Sequence, residues 1–228
     1  QVDPPRGAAC PDDPPVCIRE ATYTRLIDLP PSSLGYHLVW KRCCRNNQNN
    51  ILNDMGQTYY AFIPPTNIRN SSPFFTGVPA PYICQNDTTV YFNGASDPDG
   101  DSLSYRLVHP WSGLSDMDPV FDPPPPTIDI PFDRVIYRNG FNTVSPFGSN
   151  GIATINPFNG LTTMLSPAQG RYALAIEVTE WRNGIALSTI RLDVQIIVIP
   201  CNPNNNPNIA PTTGSYNRTI EAGKTLCF

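Results

Sequence analysis

Charge is scarce in this chain. Lys, Arg, Asp and Glu together make up 15% of 228 residues, the formal net charge is −4, and only two histidines are present. So little basic character leaves no electrostatic footprint for nucleic acid or for an anionic membrane surface. Long apolar runs are missing as well. The longest, around VQIIVIP at 194–200, is too short to span a bilayer as a helix. No basic-then-apolar leader opens the chain, so a secretion signal, if one existed, is expected to be gone already. Catalytic signatures are also lacking: there is no GxSxG, no HExxH and no glycine-rich phosphate loop. Neither His37 nor His109 has a second soft ligand near it in sequence. Glu177 and Glu180 fall on one expected strand at odd spacing, which sends them to opposite faces and argues against a paired acid and base. The expectation is a protein that is not an enzyme.

What is abundant is proline, at 27 positions, against 40% hydrophobic residues that include 10 Tyr and 10 Phe. Proline breaks helices and central strands alike, yet this much apolar and aromatic material can bury a core. Seven cysteines, at positions 10, 17, 43, 44, 84, 201 and 227, form no CxxC pair and no zinc-spaced cluster. Buried free thiols are the plainer reading. Disulfides in an oxidising, extracytoplasmic setting fit the Pro, Asn and Thr richness better. The odd count leaves one thiol unpaired, or paired outside the chain.

Along the chain, residues 1–17 read as an extended Pro/Asp-rich lead-in. ATYTRLIDL, YHLVWKRCC and TYYAFIPP alternate as three strands within 18–66, separated by PPSSLG and by the polar RNNQNNILNDMGQ. They predict a first β module, complete or the tail of a sandwich. Residues 67–81 read as a proline-stiffened linker. Short strand signals then recur over 82–200, punctuated by Asp-Gly at 99–100 and Asn-Gly at 139–140, 159–160 and 183–184. Asn-Gly between alternating runs is the strongest short hairpin cue, so EVTEWRNGIALSTIRLDV predicts a long hairpin. About seven short strands argue for an immunoglobulin-like β-sandwich. The proline-dense 109–133 reads as a long surface loop. Residues 201–228 repeat an earlier pattern: CNPNNNPNIA resembles CRNNQNNIL, and KTLCF resembles PYIC. This suggests a linker followed by the start of a next unit in a tandem array. On that repetition the favoured disulfides are Cys44–Cys84 and Cys201–Cys227, with Cys17–Cys43 as the third pair and Cys10–Cys17 its rival. Vicinal Cys43 and Cys44 are not expected to bond to each other.

GASDPDGDSLSYRL places Asp97, Asp99 and Asp101 around Pro98 and Gly100. Alternating carboxylates about a glycine supply the oxygens that a hard cation such as calcium takes. The turn lacks a closing Glu and the flanking helices of an EF-hand, so further oxygens would come from afar, with Asp116 and Asp118 as candidates. The alternative is an Asp-rich turn whose carboxylates accept backbone N–H bonds. Trp40, Trp111 and Trp181 could stack on a sugar, with Trp111 and Trp181 the better-placed ligand platform, or pack as ordinary core and hinge residues.

CCRNN, NSSP and SDPDGDSLSY, in that order, resemble the cadherin-like and PKD-like repeats of large Bacteroidetes cell-surface proteins, including gliding-motility adhesins exported by the type IX system. The likeness covers most of 18–228. It implies tandem immunoglobulin-like or cadherin-like sandwiches joined by Pro/Asn-rich linkers, in an extracellular adhesive or filamentous protein. It implies partners that are neighbouring repeats, copies of the chain or surface glycans, with no nucleic acid and no membrane insertion. It carries calcium over to Asp97, Asp99 and Asp101 only. It also implies O-glycosylation at Thr88 and Ser102; in a eukaryotic secretory route Asn70, Asn86 and Asn217 would be sequons instead. The 109–133 insert departs from a plain cadherin-like loop. A carbohydrate-binding module attached to a separate catalytic domain is the competing function.

Overall fold

The computed structural model describes residues 24–77, 82–114 and 130–201. Among these the chain is all-β, with no helix. Its strands are β1 (Tyr36–Arg42), β2 (Gln57–Ile63), β3 (Phe74–Phe75), β4 (Tyr82–Cys84), β5 (Thr89–Phe92), β6 (Ala95–Ser96), β7 (Ser102–Val108), β8 (Ile152–Ile155), β9 (Leu161–Leu165), β10 (Gly170–Arg182) and β11 (Ile185–Ile199). They form a four-stranded sheet ordered β4-β11-β10-β7, a three-stranded sheet β5-β9-β8, and two small pairs, β1-β2 and β3-β6.

The long hairpin predicted from Asn-Gly is β10–β11. Asn183 and Gly184 both take positive φ, 54° and 78°, the backbone that a two-residue turn needs to follow strand twist. Along β10 both faces are buried from Tyr172 to Val178. Tyr172, Leu174, Ile176 and Val178 are all buried at even positions. Tyr172 and Leu174 meet Ile83 of β4, Val194, Ile196 and Val198 of β11, Ala153 of β8 and Met164 of β9 in one core. Strands from both larger sheets therefore contribute to a single apolar layer, which is what each sheet needs to cover its inner face.

The opposite face of β10 is covered by a segment that its composition marked as a polar loop. β7 pairs with β10 only from Ala175 to Trp181, which leaves the backbone of residues 171–174 open on that side. The Asn49–Leu52 stretch fills the gap. The Arg171 N–H donates to Asn49 Oδ1 at 2.9 Å and the Asn49 N–H donates to the Arg171 carbonyl at 2.6 Å. Asn50 side-chain Nδ2 donates to the Ala173 carbonyl, and the Ala173 N–H donates to Asn50 Oδ1, both at 2.9 Å. The Asn50 amide thus stands in for a neighbouring strand. Gly170 has no alternative here, because a Cβ at its φ of 141° would collide with the Asn49 amide. Ile51 packs with Val135 and Ala173 beneath. Arg45 anchors the start of the segment through a buried ion pair to Asp193 and hydrogen bonds to the Gly56 and Trp111 carbonyls, each at 2.9 Å. These contacts join residues 45–56 directly to the four-stranded sheet, across the expected boundary between a first module and a later sandwich.

Two further differences from expectation concern strand pairing. Residues 24–30 form no strand: Leu26 is 93% exposed, and nothing there is paired in a ladder. Alternation without a partner edge does not make a sheet. RVIYR contributes isolated bridges, Trp111 to Arg134 and Ile51 to Tyr137, instead of a strand. Within 109–133 only residues 109–114 and 130–133 are described. Pro110 and Phe132 are buried there, so the insert's two ends pack into the body.

The disulfides differ from the junction scheme. Cys84 bonds to Cys201, and Cys43 bonds to Cys44. Repetition in sequence suggested bonds between successive units, but strand pairing decides otherwise. β4 runs parallel to the end of β11 with Cys84 opposite Ile199, so Cys201 emerges beside Cys84 at a Cα separation of 5.3 Å. β1 is drawn instead onto β2, leaving Cys44 with its sequence neighbour. Cys10, Cys17 and Cys227 lie outside the described residues. Two disulfides fit an oxidising compartment, and no helix among the described residues is long and apolar enough to cross a membrane.

Two outcomes follow from this packing. Cys84→Ser should lower unfolding free energy by about 2–5 kcal/mol, read by denaturant titration, and non-reducing peptide maps should link Cys84 to Cys201. Asn50→Ala leaves the Ala173 N–H and carbonyl buried without partners. It should cost about 2–4 kcal/mol, from two unsatisfied groups at about 1–3 kcal/mol each with partial relaxation. An Asn50→Ala variant as stable as the parent would remove the strand-substitute role.

Candidate metal centre at the acidic turn

The three aspartates of the turn do three different things. Asp97 Oδ1 accepts the backbone N–H groups of Asp99 and Asp101, both at 2.9 Å. That is the Asx-turn cap, and it closes the bend that Gly100, with φ 81°, permits. Asp99 points outward to the entering chain, where its carboxylate accepts the Ser71 N–H and hydroxyl. Asp101 offers both oxygens to Arg182, from Nε at 2.8 Å and from Nη2. Arg182 in turn donates to the Arg69 carbonyl at 2.8 Å and to Asn70 Oδ1 at 2.9 Å, and lies 3.5 Å from Asp99.

The residue that joins this turn is Glu180, from the even phase of β10. Its side chain lies on the core face, at the end where the apolar row stops, and it is fully buried. Oε2 accepts hydrogen bonds from the Ser188 hydroxyl and from Asn70 Nδ2 at 3.0 Å. Oε1 has no partner among the described residues, and neither has Asp97 Oδ2. One oxygen each from Asp97, Asp101 and Glu180 lie within 4.8 Å of one another. The structure thus brings Asp97 and Asp101 together with Glu180, while Asp99 faces Ser71 and Arg182. Asp116 and Asp118 lie outside the described residues.

The electrostatics follow from burial. Desolvation pushes the Glu180 carboxyl above its ordinary pKa; hydrogen bonds from Ser188 and Asn70 oppose the rise, and Asp101 and Asp97 reinforce it. Arg182's hydrogen bonds hold Asp101 below the usual carboxylate range. Three buried or half-buried carboxylate oxygens, packed this closely, suit a small hard cation.

Glu180 was separable from the rest by pattern alone, since it is a carboxylate in the phase of Tyr172, Leu174, Ile176 and Val178. Glu177 lies in the other phase, as its odd spacing requires, and is satisfied there: it accepts Arg106 Nε at 2.7 Å and Arg191 Nε at 2.8 Å.

The two tryptophans of the sugar-platform reading share no partner. Trp111 has Arg191 over its ring at 3.3 Å and stands edge-on to Tyr60 and Phe132. Trp181 donates from Nε1 to Ser104 Oγ at 2.8 Å and is 37% exposed. Of the candidate glycan positions, Thr88 and Asn86 are exposed beside the end of β4, and Ser102 is exposed at the start of β7. The Asn70 amide is engaged by Glu180 and Arg182. Asn217 lies outside the described residues. Comparison with family models, curated proteins and solved structures finds no match to this chain.

A raised carboxyl pKa in the folded state means that stability is present below the unfolded-state pKa and is lost as pH rises through the folded value. Glu180 should therefore be a liability at neutral pH when divalent ions are chelated, and Glu180→Gln should raise the melting midpoint there. Asp101 has the opposite sign: its contribution is present at neutral pH and fades as pH falls. A Glu180→Gln variant that melts lower than the parent at pH 7 in chelator, with hydrogen bonds to Ser188 and Asn70 still available, would contradict the buried-charge cost.

Proposed function

We propose that this chain is a structural and adhesive segment of a large secreted surface protein or extracellular filament, built from sandwich units of the cadherin-like and PKD-like kind. The observation that carries this reading is the clasp between the first and last strands of the 82–201 body. β4 lies parallel beside β11, and the Cys84–Cys201 bond ties the two where the chain enters and leaves. A force applied along the chain then passes through one covalent link and bypasses the residues between, which suits a load-bearing unit.

Strand order supports the finer assignment. β7, β10 and β11 sit together as the C, F and G strands of an immunoglobulin-like sandwich do, and β5, β9 and β8 as B, E and D. The Tyr172 hydroxyl donates to the Ala168 carbonyl at 3.1 Å, just upstream of its own strand, which is the tyrosine-corner arrangement of that architecture. Neighbouring repeats or copies of the chain are the partners that an array calls for, with avidity built from many weak contacts. Two disulfides support an oxidising setting, which is the setting an extracellular array would have. The competing module reading keeps one partly exposed ring, Trp181, and loses the open face of Trp111 to Arg191.

Three experiments test the proposal. Stretched from its ends, the oxidised protein should keep the span from Cys84 to Cys201 locked. Reductant should add about 40 nm of contour, from a separation of 117 residues at roughly 3.5 Å each. Antibody labelling of intact cells, with surface attachment lost on deletion of the protein, supports the adhesive role. A protein confined to the cytoplasm contradicts it. So does a defined sugar ligand on a glycan array that Trp181→Ala abolishes, an outcome that favours the carbohydrate-binding module.

A further inference from the structure

Native proteins seldom leave buried polar atoms without partners, and each exception calls for a reason, an ion among them. Asp97 Oδ2 and Glu180 Oε1 are two such atoms in one place. Charge tells the same story. Arg182 pairs with Asp99 and Asp101, while Asp97 and Glu180, whose carboxylates meet that of Asp101 within 4.8 Å, form no ion pair of their own among the described residues. A buried excess of negative charge is costly unless a counter-charge joins it. We propose that a single hard divalent cation binds between Asp97 Oδ2, an Asp101 carboxylate oxygen and Glu180 Oε1, a site built by the turn and by β10 jointly, in which Asp99 takes no part.

The surrounding contacts prepare those atoms. Backbone N–H groups hold Asp97 Oδ1, so Oδ2 is the oxygen left to coordinate. Ser188 and Asn70 hold Glu180 Oε2, so Oε1 is the oxygen left to coordinate. Arg182 fixes Asp101 while leaving lone pairs on both of its oxygens. Asp99 is committed to Ser71 and Arg182 on the outer side of the bend. Three carboxylates leave room for waters to complete a shell of six to eight oxygens, the number calcium takes. Naming calcium among the hard cations rests on the extracellular reading proposed above; the site itself does not.

The test is a calcium chloride titration of the chelated, oxidised protein. One ion should bind per chain, with dissociation constants of about 10⁻⁴–10⁻³ M as in extracellular modules. At roughly 100 times that constant the melting midpoint should rise by about 5–10 °C. Glu180→Gln and Asp97→Asn should each weaken binding by about tenfold or more and remove the rise, since each withdraws a charged ligand. Asp99→Asn should bind within about threefold of the parent. No binding by the parent protein up to about 10 mM calcium would overturn the site, and that result needs no variant to fold. Loss of binding in Asp99→Asn with retention in Glu180→Gln would overturn it in favour of the turn alone. Tight binding by a protein found only inside cells would sink the extracellular reading and leave the site standing.

Discussion

β10 is paired along both edges and buried on both faces, and the remaining structure is arranged around that constraint. A strand with no side left to water must have every backbone group answered by protein. On one edge β11 does this along the whole length. On the other, β7 answers the second half and the Asn49–Asn50 segment answers the first. The alternation of side chains then sorts the molecule into two environments. Even positions build the apolar core shared by the two larger sheets, and odd positions meet residues 45–56 and the arginines that satisfy Glu177.

The same strand carries two carboxylates into those two environments with different outcomes. Glu177 is met by Arg106 and Arg191, so its charge is paired and both of its oxygens are bonded. Glu180 arrives at the end of the core opposite other carboxylates and keeps one oxygen unpaired. Three residues of spacing separate a structural ion pair from a site with unspent binding capacity. Both contacts also reach beyond the sheet. Arg191 lies over Trp111, and Asn70 connects Glu180 and Arg182 to the chain that enters the body ahead of β4.

Much of this organisation was legible in the residues. Period-two runs marked β1, β2, β7, β10 and β11, and Asn183-Gly184 marked the principal hairpin, because these signals are local. The Asn-rich stretch after Cys44 is the loop that its polarity predicts, but its packing onto β10 was not legible: an asparagine amide carries the same donor and acceptor as a peptide group. Only the open edge of β10, set by where β7 stops, makes use of that. Disulfide pairing failed to follow the repetition for a related reason. Which thiols meet is decided by the parallel pairing of β4 with β11, between segments more than a hundred residues apart. Part of the acidic centre could have been read earlier. A glutamate in the apolar phase of a core strand is a departure from pattern, and Asp97 and Asp101 were already conspicuous; what the sequence could not supply was their meeting.

Hydrogen exchange along β10 addresses the organising role of that strand most directly. If the Asn49–Asn50 segment completes its edge, the amides of Arg171 and Ala173 should exchange as slowly as those of the β7-paired half, within the same cooperative opening. Fast exchange at Arg171 and Ala173, at the rate of an exposed sheet edge beside a protected Ala175–Trp181, would contradict a body held together around β10.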